Sequence, residues 1–93
     1  MKAKLVSRDR FDITETDFVE MVIWQVPVSL IGSSHSYKYR LAFIRNDQCI
    51  LRYDNEAGKG DHKHYGKNEF EYHFVGLDEL RRDFLEDVKR LVT

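Results

Sequence analysis

Cysteine is almost missing from this chain. Cys49 stands alone, which excludes an intramolecular disulfide and a cysteine-built zinc site, and fits a reducing cytoplasm. Long apolar runs are missing as well, and nothing approaches the roughly 20 consecutive apolar residues a bilayer-crossing helix needs. The opening Met1-Lys2-Ala3-Lys4-Leu5-Val6-Ser7-Arg8 is charged and lacks the apolar stretch of a signal peptide. There is no excess of either charge: the net value of −1 argues against a protein that coats a duplex through bulk basicity. Repeats, linkers and low-complexity tracts are also lacking. The expectation is a soluble, cytoplasmic protein with no membrane partner, folded as a single domain over residues 1–93.

What is present suits a small core. A hydrophobic fraction of 42% with 13% aromatics places the chain among globular rather than disordered sequences. At this size folding buries roughly 60–65% of the unfolded surface, enough for one core. Loose alternation over Lys2 to Ile13 reads as a strand, and Thr14 to Asp17 as a polar turn. The segment from Phe18 to Val26 is the strongest strand signal, rich in β-branched and aromatic residues on both faces, which predicts an interior position and a core Trp24. Pro27 and Gly32-Ser33-Ser34 then predict a loop. Strands follow over Tyr37 to Ile44 and Cys49 to Tyr53, joined at Asn46-Asp47, and a fifth over Phe70 to Phe74.

With a two-residue turn at Asn46-Asp47, Ala42 and Ile44 share a face with Cys49, Leu51 and Tyr53. Tyr39, Leu41 and Phe43 then share the other with Ile50, Arg52 and Asp54. On this reading Cys49 is a small buried hydrophobe, and the face bearing Leu41, Phe43 and Ile50 is a surface for a homodimer or a protein partner. Leu77, Leu80, Phe84, Val88 and Leu91 recur at three and four, the stripe of an amphipathic helix. Its first turn is acidic and its last basic, in accord with the helix dipole. The predicted architecture is α+β: an antiparallel sheet of about five strands with one C-terminal amphipathic helix packed on one face, in two layers.

Folding explains least of the stretch from Tyr53 to Lys67. It holds two histidines, three lysines, three acids and three glycines, and has little to bury. Long loops of small domains commonly carry function. Glycines admit a close backbone approach, lysines suit phosphate, and histidine exchanges protons near neutral pH. The combination points to a phosphodiester backbone as ligand, and to its cleavage. The run is not a P-loop, since no Ser or Thr follows the lysine.

In an extended segment His62 and His64 point the same way. With Asp61 they could serve as general acid and base on a ribose 2′-OH and a leaving 5′-oxygen. Solvated histidines that only hold a turn are the plainer alternative. Lys59 and Lys63, with Arg52 and Arg40 from nearby strands, could hold phosphates, although surface lysines more often serve solubility. Tyr65, like Tyr37, Tyr39 and Tyr53, could stack on an unpaired base or sit half-buried with a wet hydroxyl. Asp54 and Glu56 could orient an imidazole, and equally could belong to turn chemistry with Asn55. Two histidines without a third well-spaced ligand make a weak metal signal, so no metal or other cofactor is assigned. His35 and His73 receive no role.

Tyr37-Lys38-Tyr39-Arg40-Leu41, then Tyr53-Asp54-Asn55-Glu56, then Gly58-Lys59-Gly60-Asp61-His62-Lys63-His64, followed by a short strand and an acidic helix containing Phe84, resemble the TumE family of toxins from type II toxin–antitoxin pairs. The likeness spans nearly the whole chain, with Lys63 where many members have arginine. It implies a cognate helix-turn-helix antitoxin as partner and growth inhibition by the chain alone. RNA is the target suggested by analogy with other small toxins. Metal-independent endoribonuclease activity through the His/Lys-rich loop is the first expectation. A non-catalytic protein-binding module and a toxin working by nucleotidyl or phosphoryl transfer are the alternatives.

Overall fold

Alternation at period two writes the fold. The computed structural model describes residues 3–27, 35–55 and 60–92. Strands β1 (Lys4–Asp12), β2 (Asp17–Gln25), β3 (Tyr37–Arg45), β4 (Gln48–Asp54), β5 (His62–Tyr65) and β6 (Asn68–Glu71) form one antiparallel sheet in sequential order, and helix α1 (Leu77–Val92) follows. The α+β class and the two layers agree with the sequence reading, and β2 lies in the sheet interior between β1 and β3.

Among the described residues six strands form rather than five. The extra one, β5, lies inside the stretch read as a loop. It has no apolar alternation to announce it, because His62 and His64 meet polar neighbours and the helix-side face pairs a lysine, Lys63, with Tyr65. A turn at Gly66-Lys67, where Gly66 takes a positive φ of 56°, leads into β6. That strand therefore ends at Glu71 rather than running from Phe70 to Phe74. Tyr72 and Phe74 still point inward from the segment before the helix, half-buried against the core.

The core forms on one face. Val19, Met21 and Ile23 of β2, Tyr39, Leu41 and Phe43 of β3, and Leu51 and Tyr53 of β4 are buried against Leu80, Phe84 and Val88 of α1. The helix uses the predicted stripe, and Leu77 and Leu91 pack at its two ends. Asn46 and Asp47 both adopt positive φ (51° and 64°), the left-handed pair that a two-residue hairpin between twisted strands requires.

The predicted faces of β4 need correction. Phe43 opposes Leu51, but Ile44 opposes Cys49, so Ile50 is an extra residue in a β-bulge. One added residue reverses the parity of every later position in the strand. Leu51 and Tyr53 therefore join Tyr39, Leu41 and Phe43 in the core, while Arg52 and Asp54 join Arg40 and Ala42 on the open face. Cys49 is exposed instead of buried. Leu41 and Phe43, both 0% exposed, lie beneath the helix and present no surface to a second copy or an antitoxin. Trp24 is half-buried and faces away from the helix, the side opposite Val19, Met21 and Ile23. It is not core.

Polar contacts hold the helix as well. Asp87, only 4% exposed, accepts hydrogen bonds from the Tyr53 hydroxyl and the Lys63 ammonium (3.4 Å), with Arg90 3.2 Å from its other oxygen. Tyr72 donates to Asp83 at 2.6 Å. At the far end Arg45 bridges Asp17 (3.1 Å) and the Leu91 carbonyl (3.2 Å), which satisfies one of the helix's orphan acceptors.

Burial pushes the Asp87 carboxyl upward, but hydrogen bonds from Tyr53 and Tyr65 and the Lys63 charge outweigh it and hold the group below its ordinary value. A depressed carboxyl stabilises the fold above the unfolded-state value, and that contribution is lost as pH falls through the folded-state value. Asp87→Asn should therefore lower stability at pH 7 by about 1.5–3 kcal/mol and flatten the acid limb of a stability–pH curve measured by urea unfolding. Burial, and then hydrogen bonding to Asp61, Asp87 and Asp83 respectively, push the hydroxyls of Tyr39, Tyr53 and Tyr72 upward. Their stabilisation is complete below the unfolded phenol value near 10 and falls as pH rises beyond it. Alkaline titration followed by ultraviolet absorbance should show these tyrosines ionising together with loss of structure.

Candidate functional site

The hydrogen-bonded ladder between β4 and β5 sorts the expected site residues onto two faces. His62 opposes Asp54 and His64 opposes Arg52, so these four side chains rise from the open face. Lys63 opposes Tyr53 and Tyr65 opposes Leu51, so those turn toward the helix. The histidines do share a face, as extended geometry predicts, with ring centroids 6.4 Å apart.

Each imidazole has a carboxylate neighbour. His62 donates from Nδ1 to the Gly60 carbonyl at 3.0 Å, which leaves Nε2 directed at Glu69 Oε1, 3.6 Å away. Gly60 makes this approach with a φ of 75°, a conformation most side chains would strain. His64 Nε2 lies 3.5 Å from Asp54 Oδ1, and the other oxygen of Asp54 lies 2.9 Å from Arg52 Nε. That last approach is an ion pair off the hydrogen-bond line, so the buried Nε–H is left without an acceptor among the described residues. Arg40, exposed on β3, sits directly opposite Asp54. Beside these groups opens a shallow pocket of about 190 Å³ lined by Lys38, Arg40, Arg52, Asp54 and Asn55 among others. The pocket offers guanidinium donors for an anion, and the two imidazoles stand outside its lining, on the next strand opposite Arg52 and Asp54.

Not all the expected residues gather here. Lys63 pairs with Asp87 on the helix side and lies over the rings of Tyr53 and Tyr65 at 5.8 and 5.6 Å. Tyr65 shares Asp87 with it, and burial followed by that hydrogen bond pushes its hydroxyl up to about 12. Asp61 turns away from the histidines that follow it. It accepts from the Tyr39 hydroxyl (2.7 Å) and from His35 Nε2 (2.8 Å). His35 Nδ1 accepts the Tyr37 N–H, which fixes the proton on Nε2, and Phe74 stacks on the ring at 3.8 Å. Both ring nitrogens of His35 are thus occupied in anchoring the start of β5. Asn55, 1% exposed, reinforces the same corner by accepting from the Tyr39 N–H and donating to the Tyr37 carbonyl. Lys59 and Glu56 lie outside the described residues.

Glu69 was not singled out from the sequence. The available signal was the Gly66-Lys67 turn: a two-residue connection sets Tyr65 opposite Asn68 and so His64 opposite Glu69, one diagonal step from His62. Among the described residues no group of three or more His, Cys, Asp or Glu is placed to hold a metal ion.

A family model described as Toxin TumE matches residues 2–92. The chain belongs to the TumE toxin family. Its assignment rests on that match alone, since no curated protein and no solved structure matches the chain. As a TumE toxin it has a cognate antitoxin as partner, and among its described residues no helix is long and apolar enough to cross a membrane.

The two faces of β5 separate experimentally. Lys63→Met combined with Tyr65→Phe should lower the melting temperature of the toxin, because Asp87 loses two of its donors. No side chain of the histidine face is altered, so any shift of the His62 and His64 imidazole resonances reports how far the helix-side anchors orient that face. Differential scanning calorimetry and NMR of the imidazole resonances read the two effects apart.

Proposed function

We propose that this TumE toxin inhibits growth by cutting RNA without a metal, at the face carrying His62 and His64. The observation that carries this reading is the pair of imidazoles on adjacent same-face positions of one strand, 6.4 Å apart, with Arg52 and Arg40 beside them. That separation lets two rings flank one phosphate. One imidazole removes the proton of the ribose 2′-OH, and the 2′-oxygen then attacks the adjacent phosphorus. The bond from phosphorus to the 5′-oxygen breaks, and the second imidazole protonates the leaving oxygen, which leaves a 2′,3′-cyclic phosphate end. Arg52 and Arg40 stabilise the charge that develops on the phosphoryl oxygens.

In this scheme the Gly60 carbonyl orients His62 through Nδ1, leaving Nε2 for the substrate, and Asp54 orients His64 through Nε2, leaving Nδ1. Asp61 acts at a distance, positioning β5 through His35 and Tyr39. Lys59, between Gly58 and Gly60 in sequence, joins the phosphate-binding set. Lys63 and Tyr65 support the strand from the helix side. The antitoxin is taken to be a helix-turn-helix protein encoded alongside.

Purified toxin free of partner should cleave cellular RNA in the presence of EDTA and leave cyclic phosphate ends. His62→Ala/His64→Ala should reduce the rate by at least about 100-fold, the lower range for general acid–base groups, and abolish growth inhibition. A double variant that folds, binds antitoxin and still arrests growth would sink the catalytic assignment in favour of a protein-binding toxin.

A further inference from the structure

The open face is crossed by two rows of directly opposed residues, one from each strand. The first runs Arg8, Val22, Arg40, Asp54, His62, Glu71, and the second Arg10, Glu20, Ala42, Arg52, His64, Glu69. Arg8, Arg10 and Arg40 stand on β1 and β3 with Glu20 on β2 between them, Arg52 and Asp54 share β4, histidines stand on β5, and acids close the edge at β6.

The cations differ in their attachments. Arg10, Arg45, Arg52, Lys63 and Arg81 each have an ion-pair partner. Arg8, Lys38 and Arg40 are exposed and have neither an ion-pair nor a hydrogen-bond partner among the described residues. These three surround Trp24, which is half-buried on the same face, with Lys38 directly opposite it and Leu5 on its other side. Sheet geometry places Arg40 and His62, two strands apart, at about 10 Å. A half-buried tryptophan with three cations at neighbouring sheet positions, none of them with a side-chain partner among the described residues, is unexplained by packing, since the core lies on the other face.

We infer that the open face from Trp24 to the histidines is a track for single-stranded RNA. A base stacks on Trp24, Arg8, Lys38 and Arg40 hold the phosphates around it, and the neighbouring nucleotides reach His62 and His64. This rests on the ribonuclease reading, which it extends with a substrate class and a binding path. The strand must be single, because a ring standing on a flat sheet stacks only on an unpaired base, and three cations are too few to hold a duplex by charge. An acidic polypeptide would satisfy the cations and leave the indole without a partner of its own kind.

Trp24 is the chain's one tryptophan, so its fluorescence reports on the track directly. The probe is a short oligonucleotide with 2′-O-methyl groups, which binds as RNA does but has no free 2′-OH to be activated. It should quench Trp24, with an affinity that falls with salt at a log–log slope of about −2, three contacts at about −0.7 each. Arg8→Ala and Lys38→Ala should each make that slope shallower by about 0.7. By anisotropy of a fluorescein-labelled probe, Trp24→Leu should bind about tenfold or more weakly while Trp24→Phe retains most of the affinity. Melting temperatures near that of wild type certify that the variants are folded.

Unquenched Trp24, with RNA cut equally by wild type, Trp24→Leu and Lys38→Ala, would overturn the track and leave the ribonuclease standing. Probe binding that behaves as expected, without cleavage of natural RNA, would support the track and remove the catalytic reading. Quenching by polyglutamate as strong as by the oligonucleotide would overturn the RNA assignment and make the face one for an acidic polypeptide.

Discussion

One inserted residue governs how this toxin divides its labour. Ile50 adds a position to β4 just past the hairpin, so Leu51 and Tyr53 turn to the helix while Arg52 and Asp54 turn to the open face, where the buried Asp54 carboxylate pairs with Arg52 and His64. Without it the strand would set Arg52 and Asp54 against the apolar stripe of the helix and turn Leu51 and Tyr53 away from it, a reversal that apolar burial and the cost of desolvating charge both forbid. Strand β5 takes its register from β4, so the bulge also decides which side the histidines occupy. The site opposite the core therefore exists because of a local irregularity that serves packing first.

The second constraint works from the helix side. Asp87 is a buried acid in an otherwise apolar stripe, and it gathers Tyr53 from β4 and Lys63 and Tyr65 from β5. Deleting one member of such a network leaves the others buried and unsatisfied, which makes it costly to disturb. Its consequence for the site is orientation. Lys63 and Tyr65 are held on the helix side, and alternation then fixes His62 and His64 upward on the far side. The same logic applies at the start of β5, where His35, Tyr39 and Asp61 anchor the residue before His62. Both anchors lie outside the candidate site and set its geometry.

Legibility in the sequence tracks the period of its patterns. The α1 stripe and strand β2 carry strong apolar signals and β1, β3 and β4 weaker ones, so their existence and the interior place of β2 were legible. The left-handed pair at Asn46 and Asp47 was legible too, because it is a local turn preference. The bulge was not: nothing in Gln48 to Asp54 marks one residue as extra, and a two-residue turn implies the other parity. Trp24 and Cys49 were misplaced for related reasons, since residue type alone stood in for facing direction. Strand β5 was hidden because His62 to Tyr65 has no apolar face, and its pairing is written in β4 and in the turn at Gly66. The shared face of His62 and His64 was still legible, since extended geometry alone requires it. Their carboxylate partners depend on register across three strands, and Asp61 depends on a contact with His35 that spans 26 residues.

A single 16-residue helix can cover only one side of a six-stranded sheet, and this asymmetry bears on where function lies. In antiparallel sheets of this kind one face commonly packs and the other is solvated. Solvation alone asks only for polar residues. Around Trp24 the open face carries three cations without a side-chain partner among the described residues, with the Arg10–Glu20 pair nearby, and farther along it two histidines each beside a carboxylate. Cations left without a partner gain nothing for folding. Their placement makes physical sense when an anion completes the face, and the row that joins them to His62 gives such an anion a direction in which to lie.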